Sequence, residues 1–347
     1  MPRFALGSLW IAVATLVGSL HGASVPAKAA APATPCDILA SAPGDPDRVA
    51  PGVANAKIDL PAALAACAGA LATDSNNARQ QFELGRVSML VNWPTDRAAA
   101  FDQAEPLYRS AAKQGYRAAR KALADLYEEI ALSIHEPGDA AMARVQRAAD
   151  SGDADALYAL AVGADCCGDQ AEAVRLYRKA SDAGRGAATA DLAVKYFFGR
   201  GGLQKDPAEA ALLLKRAAAS GEALAQARAA AAYDRGGFGL PLDEAEAARL
   251  YKLASDQGDA YAQEKLGEFY DHGHGGLPAD AREAARLFAL AAEQDNSSAE
   301  FHLALYELNG TGGLARDEAA AIRLLKRAAA NSNSEARDQL AKMGVAP

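Results

Sequence analysis

The 347-residue chain is half apolar, yet aromatic residues make up only 6% of it and alanine dominates. That composition suits thin, repeated helix-on-helix contacts better than one bulky core. The net charge of -8 argues against a nucleic-acid ligand, whose phosphates need a basic surface, and the sequence holds no phosphate-binding motif and no strand–helix alternation.

The N-terminus reads Met1-Pro2-Arg3, then an apolar run from Phe4 to about Val17, then small residues. A short basic start, an apolar segment of this length and cleavage options after Ala23, Ala27 or Ala29 describe a secretory signal peptide over residues 1–29. The run is shorter than the roughly 18 apolar residues of a membrane-spanning helix, and no cysteine stands just beyond it to carry a lipid. The expected protein is exported, periplasmic or secreted, with no membrane span after cleavage. From Ala29 to Pro35 the chain is rich in alanine and proline, as in a flexible leader.

Residues 30–73 read as an N-terminal capping segment outside the repeat pattern. A turn-rich piece, SAPGDPDRVAPGV, precedes IDLPAALAACAGAL, which predicts a helix starting near Pro61. Cys36 and Cys67 are its two cysteines, natural disulfide partners in an oxidising compartment; the alternative is two buried free thiols. Bridging them closes a loop of about 32 residues, a constraint worth roughly 3–4 kcal/mol in the chain-entropy model. The segment is expected to cover the apolar face of the first repeat, since a solenoid end needs a cap.

From about Asn77 to Ser334 the chain repeats. Units close at Gly115, Gly152, Gly184, Gly221 and Gly258, with Asp295 and Ser332 in the equivalent places. Successive intervals are 37, 32, 37, 37, 37 and 37 residues, a period that means stacked supersecondary units. Eight residues after the closing position stand Leu123, Leu160, Leu192, Leu266 and Leu303, each followed by alanine or glycine. Leucine beside a small residue lets a second helix approach closely. Tyr196, Tyr233 and Tyr270 come four residues later, on the same face.

The second helix of each unit starts at a cap aspartate. Asp206-Pro207-Ala208-Glu209 places an N-cap acid, a first-turn proline and a third-position glutamate in order, as in a capping box. Asp169…Glu172, Asp243…Glu246 and Asp280…Glu283 repeat it, and Asp317 holds the same place. The helix ends in small residues before the closing position. Between the two helices lie the glycine loops GRGGL (199–203), GGFGL (236–240), GHGGL (273–277) and GTGGL (310–314). The third unit has Cys166-Cys167 in a shortened loop, and the first two have NWPTD (92–96) and IHEPGD (134–139). Residues 335–347 read as a closing helix and tail.

This pattern, A-x-x-x-L-G-x-x-Y-x-x-G-x-G, resembles the Sel1-like repeats, glycine-looped relatives of tetratricopeptide repeats. It stands most clearly at Ala262…Leu266-Gly267…Tyr270…Gly273-His274-Gly275 and covers about three quarters of the chain. The resemblance implies an all-α fold, a right-handed α-solenoid of about seven helix–loop–helix units. It also implies a non-enzymatic adaptor or regulator: members of the family scaffold envelope complexes, and some restrain the periplasmic domain of a signalling receptor. The Cys36–Cys67 piece resembles a leader seen before such repeats in secreted bacterial proteins. Two alternatives stay open. A cysteine-rich branch of the family is linked to β-lactam binding or hydrolysis, but it staples each repeat with a disulfide, and here the four full units from Gly184 onward hold no cysteine. A carbohydrate binder of the cell envelope would favour aromatic platforms, which are scarce.

The constellations that could carry chemistry have plainer readings. No glycine loop is followed by Lys-Ser or Lys-Thr, so each serves to reverse the chain rather than hold phosphate. His272 and His274 with Asp271 are metal-ligand types, yet Arg235 and Gly237 or Asn309 and Thr311 stand there in neighbouring units, so the loop folds without metal. No metal or other cofactor is expected. Cys166 and Cys167 are adjacent, about 3.8 Å apart at Cα, closer than the usual disulfide range; a vicinal bridge, free thiols and an intermolecular bridge all stay open. No Ser-His-Asp set, HExxH or paired-carboxylate motif is present.

A solenoid of helix pairs presents a concave surface lined mainly by its first helices. Seven residues after the closing position stand Asp191, Arg228, Lys265 and His302, and eleven after it stands Lys195. A row whose charge changes from unit to unit is what a peptide groove needs, and these five residues are the expected contacts for a protein or peptide partner in the envelope.

Overall fold

In a computed structural model of the chain, the described residues are 33–42, 45, 57–93, 95–132 and 140–346. The expected signal peptide over residues 1–29, most of the turn-rich piece before Lys57, and the IHEPGD loop lie outside them. The described residues hold seventeen helices and no strand. Two short N-terminal helices, α1 (Pro35–Ala40) and α2 (Leu60–Thr73), precede seven antiparallel pairs. The pairs are α3 (Ala78–Asn92) with α4 (Arg97–Lys113), α5 (Arg117–Leu132) with α6 (Ala140–Asp150), and α7 (Ala154–Cys166) with α8 (Gln170–Asp182). Then follow α9 (Gly186–Phe198) with α10 (Pro207–Ala219), α11 (Ala223–Arg235) with α12 (Glu244–Ser255), α13 (Ala260–His272) with α14 (Ala281–Ala292), and α15 (Ser297–Asn309) with α16 (Glu318–Ala330). α17 (Ser334–Lys342) ends the stack. None of these helices is long and apolar enough to cross a membrane.

The second helices begin where the cap aspartates stand. Asp169, Asp206, Asp243, Asp280 and Asp317 each accept the backbone N–H three residues on, at 2.9–3.2 Å, a contribution of about 1 kcal/mol per cap. The reciprocal half of a capping box does not form in the glycine-looped units. The N–H groups of Asp206, Asp243 and Asp280 instead donate to the carbonyls of Tyr196, Tyr233 and Tyr270, at 2.8–2.9 Å. That bond ties the start of each second helix to the end of its first. The freed glutamates Glu246 and Glu283 turn to Arg249 and Arg286, as Glu172 does to Arg175.

All seven closing positions take positive φ: Gly115, Gly152, Gly184, Gly221 and Gly258 lie between 77° and 93°, and Asp295 and Ser332 at 60° and 68°. At every one except Gly221 the following N–H reaches back five residues, as Asp259 does to the Ala254 carbonyl at 3.1 Å, the bond of a Schellman ending. Small residues let the paired helices close up. A Cβ on Gly267 would stand 2.7 Å from the Phe288 ring, and one on Gly85 2.6 Å from Tyr108.

The N-terminal end is covered by α1 and α2, joined through the Cys36–Cys67 disulfide with a Cα separation of 4.6 Å. Both sulfurs are buried with Ala40, Ala63 and Val87. Arg79 of α3 pairs with the fully buried Asp37 at 2.5 Å, and Arg86 donates to the Ala40 carbonyl at 2.7 Å. At the other end Ala336 and Leu340 of α17 bury against Leu325 and Ala328. The stack also curls far enough for distant units to meet: Arg117 Nη1 donates to the Asp256 carbonyl at 2.9 Å across 139 residues of sequence. A cavity of about 180 Å³ at this meeting is lined by Phe82, Lys121, Gln257 and Gln294 among others.

Candidate partner-binding groove

Residues of successive first helices build two polar clusters. Tyr158 of α7 donates its hydroxyl to Asp191 of α9 at 2.9 Å. Arg228 of α11 meets Asp191 at 2.5 Å and also donates to the Tyr158 hydroxyl at 3.2 Å and to the Ala187 carbonyl at 3.2 Å. Behind this triad Arg185 is buried, pairing with Asp155 at 3.1 Å and with Glu222, its guanidinium 4.9 Å above the Tyr158 ring. Glu128 of α5 faces the same charges from three units away. Burial and Asp125 raise its carboxyl, while Arg185 and Arg228 pull it back down. That one carboxylate senses units closing at Gly221 and Gly258 marks this as the inner face of the curl.

Further along, Lys265 of α13 lies between Glu264 and Glu268, at 3.2 and 2.8 Å. Glu268 reaches on to His302 of α15 at 3.3 Å, and the His302 imidazole stacks on Phe288 at 4.8 Å. Burial, with the neighbouring Glu268 charge, pushes Glu264 up to about 7. Burial also acts on Glu268, but hydrogen bonds from His302 and Lys265 outweigh it and hold that carboxyl at about 2. The ligand atoms of Glu264, Glu268 and His302 lie within 4.8 Å of one another, a spacing a metal could use, but the Lys265 ammonium already supplies the cation there.

The structure thus brings Asp191 and Arg228 into one cluster and Lys265 and His302 into a second. Lys195 belongs to neither. Its side chain is 4% exposed and its ammonium binds Asp165 and Gln170, at 2.5 and 2.8 Å. Position eleven points at the preceding unit, where Asp165 and Gln170 wait, rather than into the groove. Sequence spacing alone missed Tyr158 and Arg185, which join from adjoining helices, and Glu128, which faces them only through the curl.

Five consecutive segments, 154–184, 186–222, 223–259, 260–296 and 297–333, match the Sel1 repeat model, just over half of the chain. The chain belongs to the Sel1 repeat family. No curated protein matches it. Among solved structures it is similar to a Sel1 repeat protein from Oxalobacter formigenes, at 24% identity and TM-score 0.52, covering 78% of this chain and 88% of that one. It is also similar to a protective antigen of uropathogenic Escherichia coli strains with an SLR fold, at 28% identity and TM-score 0.48 over 81% of this chain. This chain spans 59% of that antigen's length. Sel1 repeat solenoids are generally non-enzymatic scaffolds and commonly serve protein interaction.

The remaining sequence features sit at loop edges of the Sel1 repeats. Cys166 and Cys167 are exposed free thiols. Cys167 borders a cavity of about 590 Å³ with Leu132, Met142, Leu160 and Leu176. His272 and His274 have rings 5.6 Å apart, but their Nδ1 atoms turn apart, His272 to the Glu268 carbonyl at 3.0 Å and His274 toward Glu244 at 3.7 Å. A second cavity, of about 380 Å³, lies among Arg86, Leu90, Trp93, Tyr108 and Leu126 near the N-terminal cap.

One loop departs from the others. At the place of Gly201, Gly275 and Gly312 the fifth unit has Phe238, at φ 56° beside their 61–64°. A non-glycine residue there costs roughly 1–2 kcal/mol. Its ring packs 4.9 Å from Phe197 and 6.0 Å from Phe198. The GGFGL loop carries the signal in plain sight, but its contact with Phe197 and Phe198 needs the stacking of two units.

Proposed function

We propose that this Sel1 repeat protein is an exported, non-enzymatic adaptor whose inner face binds a protein or peptide segment of the cell envelope. The observation that carries this reading is the pair of charge clusters, one of Asp191 and Arg228 faced by Glu128 and one of Lys265 and His302 joined through Glu268. Most of its members satisfy one another, so the surface is ordered before a partner arrives, which lowers the entropic cost of binding. Glu128 has no hydrogen-bond or ion-pair partner among the described residues. With Asp155, Asp191 and Glu222 it makes four carboxylates against Arg120, Arg185 and Arg228, so a lysine or arginine side chain of the partner is the fitting ligand. Export rests on the basic and apolar start of the sequence, and the cap disulfide suits an oxidising compartment.

The test is affinity capture from an extract of exported proteins by residues 30–347, with a second chain carrying Glu128→Lys, Asp191→Lys and Arg228→Glu. A protein retained by the first and lost by the second, and displaced by a short lysine- and arginine-rich peptide, supports the groove. Retention unchanged by the reversals, or no retention with a melting shift from a β-lactam or glycan, overturns it.

A further inference from the structure

We infer that Phe197, Phe198 and Phe238 form a second docking surface, separate from the groove, for an acidic peptide segment carrying an aromatic or aliphatic anchor. The three rings make a cluster at the loop edge between the units closing at Gly221 and Gly258, with Phe197 and Phe198 5.0 Å apart and edge-on. Phe198 is 49% exposed.

Phe197 and Phe238 rest partly on the core, but the repeat pattern does not call for three rings here. In the other glycine-looped units the place of Phe197 is taken by Asp234, Asp271 and Leu308, and that of Phe198 by Arg235, His272 and Asn309. Those loops reach the same backbone conformation with glycine where this one strains Phe238. A strained aromatic residue added to a loop that closes without it points to a surface kept for recognition.

Charge decides the occupant. Arg200 lies 4.8 Å above the Phe198 ring and Lys205 5.7 Å above Phe197. Neither has a carboxylate partner among the described residues. In a chain of net charge -8 these are two free cations standing over apolar rings, where a partner's carboxylates gain charge-assisted hydrogen bonds while its ring packs edge-on against Phe198. A second copy of the chain fits poorly, because a two-fold contact would set the same cations against each other. An anionic membrane fits poorly too, since two cations on an acidic protein give little attraction to it.

The test is fluorescence anisotropy on the chain 30–347 with a labelled peptide alternating glutamate with phenylalanine and tryptophan. Controls are its lysine-for-glutamate and alanine-for-aromatic counterparts. We expect saturable binding of the acidic aromatic peptide alone, weakened at least tenfold by Phe198→Ala and by Arg200→Glu with Lys205→Glu, at unchanged helicity. Phe238→Gly should weaken binding while leaving Tm unchanged or raising it, the reverse of a merely structural residue. Reversal of Asp191 and Arg228 should leave this binding intact, which separates its failure from that of the groove. No binding at millimolar peptide, equal binding of all three peptides, or indifference to the variants overturns the inference. So does self-association abolished by Phe198→Ala, or attachment to phosphatidylglycerol vesicles in place of the peptide.

Discussion

In the units closing at Gly221 through Ser332, helix ends are held by bonds that recur every 37 residues: cap aspartate to third N–H, cap N–H to the last turn of the first helix, closing residue at positive φ. In residues 33–132 Asp96 and Gly115 make the same bonds, and contacts made once are added to them. A disulfide, the Arg79–Asp37 pair, the Arg86 bond to Ala40 and the Tyr116 hydroxyl on Asp45 fasten α1, α2 and the first two units. Repeated local bonds spread stability evenly, so losing one weakens one unit. Unique long-range bonds concentrate it, and the N-terminal region should fail as a block.

The largest expected effect tests that contrast. Cys36→Ser with Cys67→Ser should cost roughly 3–4 kcal/mol, read as protease cleavage within residues 33–132 while the units after Gly184 stay protected. Cleavage spread evenly along the chain would remove the distinction. Glu83 of α3 comes next. It is fully buried, and burial pushes its carboxyl to about 9 against an ordinary 4.5 despite the opposing Arg86 charge. A raised folded value means stability fully present below pH 4.5 and lost as pH rises toward 9. Between pH 5 and 8 this one group should remove roughly 4 kcal/mol, and Glu83→Gln should flatten that slope in melting curves of the wild-type and variant chains. An unchanged slope would show that Glu83 stays charged.

The regular units yield smaller effects. Gly275→Ala meets both positive φ and the Glu244 carbonyl 2.5 Å from the new Cβ, whereas Gly276 at φ 78° has open space around it. Denaturant unfolding should show a loss of about 2–3 kcal/mol for the first and about 1 kcal/mol for Gly276→Ala; equal losses would mean that the close approach to Glu244 does not matter. Smallest is Arg117→Ala, which removes the exposed bond to Asp256 between distant units, at about 1 kcal/mol or less. A change in hydrodynamic radius with little change in Tm would show that this contact sets the curl rather than the stability.

The sequence by itself determined the repeat, the second-helix starts and the closing positions, including Asp295 and Ser332 as stand-ins for glycine. Each of those is written within one 37-residue unit, in residues that cap or reverse their own stretch of chain, so spacing suffices to read them. It also set Asp191 and Arg228 at the same position of successive units, without showing that they pair with each other. What only the tertiary structure decided depends on how units sit on one another. The stacking sends Lys195 into the preceding unit and joins Phe238 to Phe197. The curl brings Glu128 toward Arg228 and Arg117 onto Asp256. The rotation between units accumulates from side-chain packing at each interface, which no single unit's residues spell out, and it is this rotation that brings residues of distant units together.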